Sequence, residues 1–134
     1  IGLAKEGGAL PEIVKPLRFG LGTYFADGQA WWSWIHLDDV CKMFIWAIEN
    51  QQIEGVFNAA APNPVRGIEL VKATAKAMRQ PAVFVSAPAF TLQMALGEMS
   101  AVVLNSNQIS AEKTLKAGFE FRYPELTEAL EAIF

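Results

Sequence analysis

The sequence has few of the residues that carry metal and redox chemistry. Its 134 residues include one cysteine, Cys41, and one histidine, His36. A single cysteine excludes an internal disulfide framework, and one residue of each type is too few for a Cys/His metal site. We therefore expect neither. A reducing, cytoplasmic setting fits this cysteine usage.

Basic clusters and long apolar runs are also missing. The net charge is −3 and the Lys and Arg residues are scattered, so we expect no nucleic-acid partner. The most apolar stretch, residues 88–104, is interrupted by polar side chains that include Glu98, and it falls short of the roughly 20 apolar residues of a membrane span. We expect no membrane partner. The sequence starts without Met or a signal-peptide layout, as expected for part of a longer protein.

Hydrophobic residues, in contrast, make up 52% of the chain, and charged residues 19%. This share predicts that some apolar surface faces a partner rather than water. "AFTLQMALGEMSAVVL" has the composition of a helix that is apolar almost all the way round, and such a helix is normally buried. A chain of this size offers little protein to surround it, which indicates a missing half or self-association. We interpret Glu98 as a rim or paired carboxylate rather than a buried functional one.

Helices and short strands alternate along the chain, which predicts an α/β class. We predict helices around residues 13–17, 67–79 and 111–117 and after Pro124, with Ser110 as the N-cap of the third of them. The clearest helix starts at Asp38, interpreted as its N-cap, with Asp39 adding favourable charge. Its apolar stripe comprises Val40, Met43, Phe44, Ala47 and Ile48.

Three segments have the pattern of short strands. Residues 32–37 alternate, with apolar side chains on both sides. "VFNAAA" reads as a buried strand closed by the turn "PNP", and "AVFVSAP" as another short strand. "GLGTYF" lacks the third glycine of a dinucleotide-binding turn and follows a helix instead of a strand, so we do not predict phosphate binding there.

Ser33, His36 and Asp38 supply the residue types of a hydrolytic triad. Strand alternation puts Ser33 and His36 on opposite faces, so we expect no triad. We interpret His36 as a packed, hydrogen-bonded histidine and Cys41 as a buried, inert thiol. The sequence predicts no catalytic residue and no metal ligand.

Three of the four tryptophans lie in "GQAWWSWIHLDD". Large aromatic side chains near a junction of loop and strand can line a pocket for a flat or apolar ligand. Ordinary core packing explains them equally well. The residues themselves leave both interpretations open for Trp31, Trp32 and Trp34.

Four segments together resemble a known family: "GGALPEIVKPLRFGLG", "GQAWWSWIHLDD", "NAAAPNPVR", and "LGEM" with "AGFEFRYP". In order and spacing they resemble the C-terminal half of the epimerase-family proteins, which are NAD-dependent epimerase/dehydratase-like, atypical extended short-chain dehydrogenases/reductases. The resemblance implies the substrate-side half of a Rossmann-type fold, mostly helical with a few short strands. Residues 1–80 would belong to the Rossmann-like, substrate-binding region and residues 81–134 to a small C-terminal helical extension.

The family resemblance also implies NAD or NADP in the full-length protein. Family members hold the cofactor on an N-terminal Rossmann domain and carry a catalytic Tyr-x-x-x-Lys pair. Here Tyr24 is followed four positions later by Gly28, and Tyr123 by Thr127. We therefore expect no cofactor-binding residue in this chain, no cofactor bound by it alone, and no activity from it alone.

The resemblance places Trp32 where nucleotide-sugar enzymes of the family carry an arginine that grips a diphosphate. An aromatic side chain cannot neutralise a phosphate, so we expect a small-molecule substrate that is flatter and less charged than a nucleotide sugar. The expected pocket contacts are Gln29, Trp31, Trp32 and Trp34. The alternative function is a non-catalytic association module that forms homo-oligomers through surfaces the Rossmann half would normally cover.

Overall fold

A computed structural model describes residues 1–88, 94 and 108–134 of the chain. The predicted apolar helix of residues 89–104, with Glu98, lies outside the described residues except at position 94. The rest is α/β, mostly helical with short strands, as predicted. No helix in this described part is long and apolar enough to cross a membrane.

The described elements are five helices and six short strands. The helices are α1 (Leu10–Leu17), α2 (Leu37–Glu49), α3 (Gly67–Ala77), α4 (Glu112–Lys116) and α5 (Leu126–Ile133). The strands are β1 (Gly2–Leu3), β2 (Leu21–Phe25), β3 (Trp31–Trp32), β4 (Ile35–His36), β5 (Val65–Arg66) and β6 (Val83–Ala87).

The strands form three separate pairs. β1 pairs with β4 and β2 with β6, both parallel, whereas β3 and β5 are antiparallel. The longest pair, β2 with β6, joins segments about sixty residues apart and packs against α1 and α3. It confirms the strand predicted in "AVFVSAP".

The main core lies where α1, α3 and α5 meet β1 and the segment around Trp34. Periodic apolar residues of each helix face inward, as the sequence predicts for these three helices. Thr74 is buried among them, and its hydroxyl donates to the Leu70 carbonyl at 2.7 Å. The buried cluster comprises Leu3, Leu10, Val14, Trp34, Ala61, Leu70, Leu126, Ala129 and Leu130.

Two of the predicted strands are wrong in part or whole. Residues 32–37 do not form one strand, because β3 pairs with β5 whereas β4 pairs with β1, and the chain changes partner between them. "VFNAAA" forms no strand in the structure, since its backbone joins no ladder among the described residues. Val56 there is 82% exposed, while Ala60 and Ala61 are buried.

Helix α2 is where predicted, but its cap and inner face differ. The N-cap is His36, whose Nδ1 accepts a hydrogen bond from the Asp38 N–H at 3.0 Å, so Asp38 is not the cap. Asp39 and Met43 are buried, whereas Phe44 and Ile48 are 68% and 77% exposed.

The predicted inner stripe of α2 also included Ala47, which is exposed. Periodicity alone cannot say which part of a broad apolar stripe packs, and here the Asp39 carboxylate fixes the rotation of α2 by accepting hydrogen bonds from Arg122 and Tyr123. Cys41 is exposed on α2, so its interpretation as a buried thiol is wrong.

Candidate functional site

A small cleft lies between β2, the turn of residues 26–30 and the start of α3. Its volume is about 60 Å³, room for a few water-sized groups. Aromatic, aliphatic and glycine residues make up most of its wall, and Asp27 supplies the one ionisable carboxylate among the described lining residues. These are Ile13, Thr23, Tyr24, Phe25, Ala26, Asp27, Gly28, Ala30, Trp32, Gly67 and Val71.

The turn that lines the cleft is held in a strained conformation. Ala26 has a φ of 52°, in the left-handed region that residues other than glycine rarely adopt. Gly28 has a φ of 71°, and a Cβ there would lie 2.7 Å from the Ile68 Cβ, so only glycine fits. The first amides of α3 hold the turn: Ile68 N–H donates to Gly28 O at 3.0 Å and Gly67 N–H to Ala30 O at 2.9 Å. Such a turn presents its side chains in fixed positions.

The strand β2 forms another wall of the cleft. Gly22 permits its close packing on β6, because a Cβ at this position would lie 2.4 Å from the Phe84 ring. The packing of β2 on β6 therefore explains why position 22 of "GLGTYF" is a glycine.

The four expected pocket residues, Gln29, Trp31, Trp32 and Trp34, do not all lie at the cleft. Trp32 lines the cleft. Trp31 pairs with Arg66 across the β3–β5 ribbon, and since neighbouring strand residues alternate, both lie on the face opposite Trp32. The Arg66 guanidinium lies 4.4 Å from the centre of the Trp31 ring and donates to the Gln29 carbonyl at 2.8 Å.

Trp34 lies apart from the cleft. It is fully buried, and its indole donates to the Asn63 carbonyl at 2.8 Å, as expected of a core tryptophan. Of the expected contacts, the structure therefore brings Trp32 alone to the cleft.

Tyr24 and Asp27 line the cleft without having been predicted. The "ADG" turn signal in the sequence could have indicated that Asp27 lies on a tight turn. Nothing local could have indicated Tyr24, because its environment depends on the pairing of β2 with β6.

The polar residues around His36 form a structural network. His36 is buried and stacks on Tyr123, with ring centres 4.3 Å apart, as the packed interpretation predicts. Ser33 Oγ accepts a hydrogen bond from the Ile109 N–H at 2.7 Å. The Asp39 carboxylate accepts from the backbone N–H groups of Arg122 and Tyr123 at 2.8 and 3.0 Å. These contacts tie the start of α2 to the segment before α5.

A larger groove of about 900 Å³ runs between the end of α3 and α5. Its charged side chains, Lys76, Arg79 and Glu131, are all exposed. Arg79 also has a positive φ, 54°, but none of the expected contacts Gln29, Trp31, Trp32 and Trp34 lines this groove. We therefore place the candidate site at the cleft. No group of three His, Cys, Asp or Glu in the described part of the chain is arranged to hold a metal ion.

Comparison with known proteins shows which proteins this chain is similar to. Residues 87–133 match a domain of unknown function, DUF1731. Over 128 residues the chain is 37% identical to epimerase family protein YfhF of Bacillus subtilis, covering 96% of this chain and 42% of that protein. It is 36% identical over 131 residues to the chloroplastic SDR39U1 homologue of Arabidopsis thaliana, covering 98% of this chain and 38% of that protein.

Comparison with solved structures points to the same proteins as the sequence comparison. The chain superposes on human epimerase family protein SDR39U1, solved with NADPH, with a TM-score of 0.88 and 30% identity, covering 99% of this chain and 45% of that one. Over nearly its whole length the chain matches a segment of epimerase-family proteins. The resemblance seen in the sequence is therefore confirmed. UDP-glucose 4-epimerase of Thermus thermophilus, solved with NAD, shares the fold at 13% identity and a TM-score of 0.71.

The chain spans less than half the length of these epimerase-family relatives. Its described residues do not form a dinucleotide-binding turn: Gly20 precedes strand β2, Gly22 lies within it, and β2 continues into the turn at Ala26 instead of a helix. They do not fit a nicotinamide dinucleotide by the usual arrangement of the fold, in which a glycine-rich turn joins a strand to a helix N-terminus.

Proposed function

We propose that this chain forms the substrate-side wall of an NAD(P)-dependent oxidoreductase or epimerase of the epimerase family. The cofactor and the proton-transferring residues would be supplied by protein outside these 134 residues. The observation that carries the proposal is the cleft beside Trp32, built on a strained and hydrogen-bonded turn. Strain held in place by surrounding structure is typical of functional sites.

The size of the cleft supports a shared site. Pockets for small molecules usually enclose several hundred Å³, whereas this cleft has about 60 Å³. It presents one fixed wall and is too small to enclose a substrate. A second wall from the rest of an epimerase-family protein would complete it, since the relatives are more than twice as long as the aligned segment.

The residues of the chain support inactivity in isolation. Neither Tyr24 nor Tyr123 begins a Tyr-x-x-x-Lys pair. His36 is buried, and its Nδ1 accepts from the Asp38 N–H. Its Nε2 has no partner among the described residues but is itself buried, so this chain does not present the ring to a substrate. We propose that the chain positions a small-molecule substrate and transfers neither hydride nor proton.

We keep the expectation that the substrate is not a nucleotide sugar, because Trp32 stands at the cleft where a diphosphate would need a cation. We also keep the division at residues 80 and 81, although β6 of the second region pairs along its whole length with β2 of the first. A cytoplasmic location remains a prediction.

Cofactor titration tests this proposal. The 134-residue chain is titrated with NADPH and NADH while nucleotide and tryptophan fluorescence are followed, in parallel with a chimera in which this chain replaces the aligned segment of B. subtilis YfhF. We expect no binding by the chain alone and saturable binding by the chimera. Saturable NADPH binding by the chain alone, or NADPH turnover with carbonyl compounds, would overturn the proposal.

A second function, self-association, is favoured by one surface. Helix α2 exposes an apolar stripe, and we propose that a second copy of the chain covers it when no cofactor-binding half does. The residues of this stripe recur every three or four positions: Leu37, Cys41, Phe44, Ile45 and Ile48.

Light scattering after size-exclusion chromatography tests self-association. We expect a dimer for the natural chain, a monomer for Phe44→Glu, and an unchanged dimer for the control Glu49→Gln, which alters an exposed polar residue of the same helix. A natural chain that stays monomeric at high concentration contradicts this second function.

A further inference from the structure

The cleft carries a charge that selects its ligand. Asp27 is the ionisable carboxylate among the described lining residues, and those residues include no Lys, Arg or His. The other polar side chains in this part of the wall, Thr23 and Tyr24, are neutral hydroxyls. An aromatic wall with a single negative charge differs from the positively charged sites that bind phosphates.

The Asp27 carboxylate is held in place by its turn. One oxygen, Oδ1, accepts a hydrogen bond from the Gln29 N–H at 3.0 Å. The turn is fixed from the other side as well, because the Ser86 hydroxyl donates to the Ala26 carbonyl at 2.5 Å. Among the described residues Oδ2 has no donor, so it is available to accept a hydrogen bond from a ligand.

No described cation neutralises this carboxylate. Arg66 bonds to the same turn, but it donates to the Gln29 carbonyl and stacks on Trp31. No ion pair joins Arg66 to Asp27 within 4.0 Å, and strand alternation places Arg66 and Trp31 on the opposite face of the ribbon from Trp32. The Asp27 side chain is exposed at the rim of the cleft, and among the described residues no cation within ion-pair distance offsets its charge toward a ligand there.

We infer that Asp27 is the specificity-determining residue of the cleft, which takes a flat, apolar ligand through a hydroxyl or ammonium group and rejects a carboxylate or phosphate at that point. A group that donates to Oδ2 makes a charge-assisted hydrogen bond, whereas an anion beside Asp27 is repelled. The inference rests on the proposed function, since it takes the cleft as part of the substrate site.

Three probes with the same aromatic body test the inference. Benzyl alcohol, benzylamine and benzoate are titrated into the chimera that carries this chain within B. subtilis YfhF, and binding is followed by the indole N–H resonance of Trp32, assigned from its loss in Trp32→Phe. We expect benzylamine and benzyl alcohol to bind and benzoate to bind at least about tenfold more weakly than benzylamine. The alcohol and the amine distinguish a hydroxyl donor from an ammonium donor.

Asp27→Asn is the decisive variant, because its amide oxygen can still accept from the Gln29 N–H and keep the turn folded. We expect it to remove most of the difference between benzylamine and benzoate. The control, Asp38→Asn, alters an exposed aspartate at the start of α2 and should leave the difference unchanged.

The outcomes separate this inference from the proposed function. If all three probes shift the Trp32 resonance equally, or if Asp27→Asn leaves the difference intact, the role of Asp27 is refuted and the cleft still stands as a binding site. If no probe shifts the Trp32 resonance, the cleft is not a binding site and both are refuted.

Discussion

Asp39 provides the sharpest test of how this chain is held together. Its side chain is fully buried and accepts two backbone hydrogen bonds, from Arg122 N–H at 2.8 Å and Tyr123 N–H at 3.0 Å. Hydrogen bonds to a charged group contribute about 1.5–3 kcal/mol each. Removing the carboxylate in Asp39→Ala also leaves two amide groups without their acceptor, so we expect a loss of about 3–5 kcal/mol in the free energy of unfolding.

Such a loss is a large part of the roughly 5–15 kcal/mol that stabilises a typical domain. The isosteric variant Asp39→Asn is therefore the one to measure. It retains one acceptor oxygen and turns an NH₂ group toward the second backbone N–H, for which we expect a loss of about 2–3 kcal/mol. Urea unfolding, followed by circular dichroism and tryptophan fluorescence, gives this value.

Asp38→Asn serves as the matched control for Asp39, since the two aspartates are adjacent in α2. The Asp38 side chain is 53% exposed, and it is its backbone N–H that bonds to His36. We expect the control to change the free energy of unfolding by less than about 0.5 kcal/mol. If both substitutions change the free energy of unfolding equally, or if Asp39→Asn does not change it, Asp39 does not stabilise the fold through its hydrogen bonds to Arg122 and Tyr123.

Three further predictions follow from single contacts. Gly22→Ala should lower the free energy of unfolding by about 1–3 kcal/mol, because the new Cβ would lie 2.4 Å from the Phe84 ring. The control Gly67→Ala should be tolerated, because its new Cβ would have its nearest contact, Trp32 Nε1, at 3.6 Å. Urea unfolding of the two variants compares them. Trp34→Phe should cost about 1–3 kcal/mol in thermal or urea unfolding, since it removes the bond to the Asn63 carbonyl and leaves space in the core. Cys41 should react completely with a thiol reagent in the folded chain, and more slowly as protein concentration rises if α2 mediates self-association; protection in the monomer would contradict its exposed position.

The helices were predictable because their signals are local. In α1, α3 and α5 the apolar residues repeat at helical spacing, and the buried residues Val14, Leu70 and Leu130 lie on the predicted faces. The prediction of Ser110 as the N-cap of α4 is wrong by one residue: the N-cap is Ala111, although the Ser110 Oγ still accepts from the Glu112 N–H. Local chemistry determines these features, so one sequence suffices to predict them.

Features that depend on distant partners were not predictable in this way. The strand predicted over residues 32–37 is two strands in the structure, because β3 pairs with β5 and β4 pairs with β1, and β5 and β1 lie far apart in sequence. Periodicity predicts the wrong inner face for α2 because Asp39, expected only to favour the helix dipole, accepts hydrogen bonds from residues more than eighty positions away. A charged side chain is rarely fully buried without partners, and the sequence does not reveal partners at that distance.

The candidate site shows the same division between local and distant determinants. The aromatic run marked Trp32 as a pocket residue, but the same run included Trp34, whose burial depends on α1, α3 and α5 closing over it. Asp27 and Tyr24 reach the cleft because the pairing of β2 with β6 and the first amides of α3 position the turn between them. The specificity of such a wall is therefore set by a short polar turn as much as by its tryptophan, and a charge change at Asp27 should alter ligand choice without disturbing the fold.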